Sequence, residues 1–136
     1  MKTILIIEDD ARIAAALEVR LKAAGYRVLV AADGRHGILA AASQNPDLII
    51  SDVWMPKPIG FLSWERRRFL CLDHVPVIYI TASNKKDLRR VALEEGAAGF
   101  FEKPYDAEKL LAAVAAALAQ HRRSLTQPPF ELSEVS

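Results

Sequence analysis

Five short apolar runs, most of them rich in β-branched residues, recur along the chain with longer helix-patterned segments between them. They are Ile4 to Ile7, Val28 to Ala31, Leu48 to Ile50, Val77 to Ile80, and Phe100 to Phe101. The first four are continuous rather than alternating, the pattern of strands covered on both faces. Between them, Ile13, Leu17, Leu21 and Ala24 form one helical stripe, and Leu88, Val91, Ala92 and Glu95 a second. Leu110, Leu111, Val114, Ala117 and Leu118 form the clearest stripe, ending near Gln120. Gly25 stands where the first helix should stop, Asp33-Gly34 where the second should open, and Asn45-Pro46 where it should end. A further helix is expected at about Phe61 to Leu70, inside an irregular stretch. Strand and helix alternating five times implies a parallel sheet with helices on both faces and right-handed crossovers. The expected fold is α/β: a five-stranded, doubly wound parallel sheet with five helices.

The 136 residues suit one domain. The ordered domain is expected over residues 1–123, with residues 124–136, which hold Pro128-Pro129, as a tail or the start of a linker. Lys plus Arg number 18 and Asp plus Glu 17, for a net charge of +1. A balance so near zero gives no electrostatic reason to bind nucleic acid or an acidic membrane. Cys71 is the single cysteine, so neither an intrachain disulfide nor a cysteine zinc cluster can form. No apolar run approaches the roughly 18 residues that span a bilayer. The start of the chain lacks a signal-peptide pattern, so the cytoplasm is the expected location.

In open parallel sheets, ligands bind beyond the carboxyl ends of the strands. Four of the five strand ends deliver a polar or charged group there: Glu8-Asp9-Asp10, Asp52, Thr81 and Lys103. Alone, each has a plainer reading. Asp10 could equally be a helix N-cap, Thr81 a turn hydroxyl, and Lys103 a solvated loop residue. Together they make a site. Several carboxylates at one edge repel each other and call for a hard cation such as Mg2+, which is held by oxygen ligands. A lysine and a hydroxyl can bind phosphoryl oxygens, and a carboxylate can attack phosphorus to form an aspartyl phosphate.

The segments ILIIEDD (Ile4 to Asp10), LIISDVWMP (Leu48 to Pro56), ITAS (Ile80 to Ser83) and GAAGFFEKPY (Gly96 to Tyr105) are similar to the CheY-like receiver domain of bacterial two-component response regulators. The resemblance runs from about Lys2 to Arg122. It implies a flavodoxin-like strand order, 2-1-3-4-5. It implies that Asp52 is the phosphoacceptor and that Glu8, Asp9, Asp52 and the backbone carbonyl of Trp54 hold Mg2+. Thr81 matches the hydroxyl that moves to the phosphoryl group, and Lys103 the lysine that pairs with it, before a peptide bond usually cis. Phe100 matches the aromatic switch. The implied donor is a histidine kinase or phosphotransfer protein. The implied output is a change in the face formed by the fourth helix, fifth strand and fifth helix, read by a downstream protein, an attached output domain or a second copy in a homodimer. The implied catalysis is limited to the chain's own phosphorylation and dephosphorylation. Lys57-Pro58-Ile59-Gly60 departs from the Gly-x-Asp-Gly turn usual at that point. The Trp54 ring is expected near the mouth of the site, where it either shields the acyl phosphate or covers the neighbouring helix.

Three other functions fit less well. An Asp-nucleophile phosphohydrolase would want a second acid at position 54, which is Trp54. A nucleotide or flavin binder would want a glycine-rich phosphate loop after the first strand, where this chain is acidic. A receiver that no longer takes a phosphoryl group and serves as a scaffold is supported only by the unusual loop after Asp52, because the key residues are all present in the sequence. His36, His74 and His121 have no metal-ligand spacing and read as structural or surface residues.

Overall fold

In the computed structural model the described residues are 1–52, 72–82, 86–94 and 96–126. The elements run β1 (Thr3–Ile7), α1 (Ala11–Ala23), β2 (Arg27–Ala31), α2 (Gly34–Gln44), β3 (Leu48–Asp52), β4 (Val77–Thr81), α3 (Lys86–Glu94), β5 (Gly99–Glu102) and α4 (Ala107–Thr126). The helix expected at 61–70 lies outside the described residues, so α3 and α4 are the fourth and fifth helices of the sequence expectation. The five strands form one parallel sheet in the order β2-β1-β3-β4-β5, as expected.

Helix boundaries follow local chemistry. Asp10 caps α1, its side chain accepting from the amides of Arg12 and Ile13. Of its two readings, the cap is therefore realised. Gly25 follows α1 at φ 97°, a conformation that costs a residue without a Cβ little. Asp33 caps α2, and Asn45 ends it in the left-handed region at φ 48°. The last helix continues through Thr126, past the end expected near Gln120.

Two hydrophobic layers clamp the sheet. On one face, Ile4, Ile6, Ile50, Ile78 and Ile80 pack with Leu17 and Leu21 of α1 and with Leu110 and Val114 of α4. On the other, Leu5, Ile7, Ile49, Val77 and Tyr79 pack with Ala41 of α2 and Ala92 of α3. Each fully buried large aliphatic contributes about 1.5–3 kcal/mol. Strands β3 and β4 are buried at every position, which accounts for their continuous apolar runs. Strand β2 departs from the expectation of cover on both faces, with Val30 46% exposed. It lies at the sheet edge, where Val28 and Leu29 are only partly covered. Ala24, expected on the buried stripe of α1, is exposed because it is the C-cap. The sheet's carboxyl edge, where β1 and β3 lie side by side, is the topological switch point.

Candidate functional site

The register of the central strands brings the site together. Ile7 pairs with Ser51, so the next residues, Glu8 and Asp52, emerge level with one another. Asp52 pairs with Ile80, which puts Thr81 one step beyond it on β4. Thr81 pairs with Glu102, one residue before Lys103. Two backbone hydrogen bonds fix these ends. The Glu8 amide donates to the Ala31 carbonyl at 3.0 Å, and the Lys103 amide donates to the Thr81 carbonyl at 2.7 Å. The Lys103-Pro104 bond is cis.

Glu8, Asp52 and Thr81 are buried, whereas Asp9 is exposed. The Lys103 ammonium donates to Glu8 Oε1 at 2.6 Å and to Asp52 Oδ2 at 2.8 Å. The Asp10 amide donates to the second Glu8 oxygen at 3.1 Å. One carboxylate oxygen from each of Glu8, Asp9 and Asp52 lies within 4.8 Å of the others. Burial, joined by the Asp52 charge, raises Glu8 to about 7 despite its hydrogen bonds to Lys103 and Asp10. Burial alone would lower Lys103, but its hydrogen bonds to Asp52 and Glu8 outweigh that and hold it above its usual value.

The donor set fits a hard divalent cation. Three carboxylates offer oxygen ligands at one edge, and one ammonium cannot neutralise all three. Phe100 is buried among the apolar residues on the α2 and α3 face, with Tyr79 as its register partner. Trp54 lies outside the described residues, as does the stretch from Lys57 to Gly60. His36 binds its own helix cap, with Nδ1 2.8 Å from Asp33 Oδ1.

The structure thus brings together Glu8, Asp9, Asp52, Thr81 and Lys103, all named from strand ends. Sequence reasoning gave the end of β2 no part, yet the Ala31 carbonyl anchors Glu8. A backbone atom leaves no residue-type signal, and only the register exposes it. It also missed an apolar cavity beside Lys103, lined by Ile13, Ala16, Lys103, Pro104 and Tyr105.

The profile of the response regulator receiver domain matches residues 4–115. The chain belongs to that family. This receiver domain is 36% identical to the DNA-binding dual master transcriptional regulator RpaA of Synechocystis, across 97% of the chain and 59% of the regulator. It is 39% identical to the transcriptional regulatory protein AfsQ1 of Streptomyces coelicolor, across 93% of the chain and 55% of that protein. The chain therefore spans little more than half the length of these relatives. Among solved structures, a receiver domain protein from Clostridium thermocellum superposes with TM-score 0.79 at 28% identity, covering 93% of this chain and 100% of that one. The chemotaxis protein CheY4 of Vibrio cholerae superposes with TM-score 0.77 at 30% identity, covering 86% and 98%. No helix among the described residues is long and apolar enough to cross a membrane.

Proposed function

We propose that this receiver domain is a phosphorylation-dependent switch that takes a phosphoryl group onto Asp52. The observation that carries the reading is the Lys103 ammonium bridging Asp52 and Glu8, at 2.8 and 2.6 Å, at the sheet's switch point. Asp52 attacks phosphorus. The bond from phosphorus to the donor's leaving group breaks as the bond to the Asp52 oxygen forms. Lys103 is already within reach of an Asp52 oxygen and follows the transferred charge as an ion-pair partner. The Thr81 hydroxyl donates to a phosphoryl oxygen, and Phe100 follows its movement. Glu8, Asp9 and Asp52, with the Trp54 carbonyl, would hold Mg2+. Bound there, the ion would neutralise charge on the phosphoryl oxygens.

The donor in this reading is a histidine kinase or phosphotransfer protein in the cytoplasm. The chain catalyses only its own phosphorylation and dephosphorylation. Output passes through the α3, β5 and α4 face to a downstream protein, an attached output domain or a second copy. The test is intact mass after incubation with acetyl phosphate, with and without Mg2+, for wild type and Asp52→Ala. One phosphoryl adduct that needs both Mg2+ and Asp52 is expected. No adduct in the presence of Mg2+ would turn the reading toward a scaffold.

A further inference from the structure

The cavity beside Lys103 has a volume of about 410 Å3 and lies between α1 and the loop that follows β5. That volume falls within the range of small-molecule pockets, roughly 300–1,000 Å3. Its lining is mostly apolar: Ile13 and Ala16 from α1, with Pro104 and the Tyr105 ring opposite. Its cationic lining residue, Lys103, is already committed to Glu8 and Asp52.

A second cation stands nearby. Ile13, Ala16 and Arg20 follow one another at helical spacing, so Arg20 lies one turn beyond Ala16 on the cavity side of α1. Its charge also acts on the Tyr105 hydroxyl. Burial raises that group's pKa, and the positive charges of Lys103 and Arg20 oppose the rise. The Arg20 side chain is exposed and makes no ion pair among the described residues. An apolar recess with an uncommitted guanidinium along the same helix face is complementary to a compact ligand with an apolar body and one negative group.

We propose that the recess between Ile13, Ala16, Pro104 and Tyr105 is a binding site for a small amphipathic anion, its apolar body against these residues and its charge toward Arg20. Such a ligand would lie against the loop that carries Lys103. It would give the chain an input separate from the phosphoryl group.

The probe is anilinonaphthalene sulfonate, an aromatic anion that fluoresces when its rings leave water. Its neutral relative phenylnaphthylamine serves as the charge control. Saturable binding of the sulfonate at one site per chain is expected. Ala16→Trp, at an exposed position, fills the recess and should weaken binding more than about tenfold. Arg20→Gln should weaken the sulfonate about threefold and leave the neutral probe unchanged. Near-ultraviolet circular dichroism checks that each variant keeps native packing. Binding that does not saturate, or that survives both substitutions, would overturn the proposal. The site is separable from the phosphoacceptor. Ala16→Trp should still gain the acetyl phosphate adduct, and a wild type that bound the probe but took no phosphoryl group would count against the switch alone.

Discussion

Gly37 lies in α2, where the helix presses on β1 one residue before Glu8. A Cβ added there would stand 2.5 Å from Ile7 Cδ1, 2.8 Å from Cγ1 and 3.0 Å from Cγ2. Ordinary carbon contacts are about 3.5–4.0 Å, so the helix or Ile7 would have to move by about 1 Å. Ile7 is fully buried and has little room to yield. Overpacking of this kind costs about 1–3 kcal/mol. Gly→Ala within a helix returns about 1 kcal/mol through propensity. The balance for Gly37→Ala is a net loss of about 1 kcal/mol, or roughly 4 °C in Tm. Urea unfolding followed by circular dichroism would measure it. Ile7→Val removes the closest of the three atoms and should cost about 0.5–1.5 kcal/mol alone. Combined with Gly37→Ala it should cost less than the two single effects added, because the clash is partly relieved. The displacement should also reach Glu8 and weaken Mg2+ binding. A Gly37→Ala protein more stable than wild type, or a double variant that is simply additive, would refute the reasoning.

Three further outcomes are expected. Glu8 titrates near 7 in the folded chain against 4.5 when unperturbed, so the native state holds this proton more tightly than the unfolded state. Its contribution is complete below about pH 4.5 and is lost as the pH rises through about 7. Urea midpoints in chelator should therefore fall between these values, and Glu8→Gln should flatten that part of the curve. Mg2+ requires the ionised carboxylate, so its affinity should rise over the same interval with release of a proton, as calorimetry in buffers of different ionisation enthalpy would show. Lys103→Met leaves two buried carboxylates without their shared cation, and Lys103 itself is only 15% exposed. Stability in chelator at pH 8 should drop by about 2 kcal/mol, less than a fully buried pair because Glu8 can take up a proton, and Mg2+ should recover much of the loss.

Much of this architecture was legible because its central strands bury both faces. Continuous β-branched runs mark β1, β3 and β4 without ambiguity, and the caps at Asp10 and Asp33 and the left-handed Asn45 have side-chain signatures. Strand β2 misled in one respect. Its apolar run matches that of a central strand, and only the strand order places it at the edge. The site residues could be read because each follows a different strand end on the same sheet edge. Their pairing could not. That Lys103 joins Glu8 as well as Asp52, and that the Ala31 carbonyl holds Glu8, depends on register, which periodicity leaves open. Gly37 has no local signature either. Within a helix, a glycine required by a neighbour's bulk looks like any other until Ile7 is seen against it.

Glu8, Asp9 and Asp52 share one edge, and the proposed switch carries the phosphoryl group on Asp52. Hydroxylamine converts an acyl phosphate to a hydroxamate and leaves free carboxylates untouched. The protein would be loaded with acetyl phosphate and Mg2+, treated with hydroxylamine and mapped by peptide mass spectrometry. A hydroxamate at Asp52 alone is expected. A hydroxamate at Glu8 or Asp9, or none on a protein that carries the phosphoryl mass, would contradict that assignment.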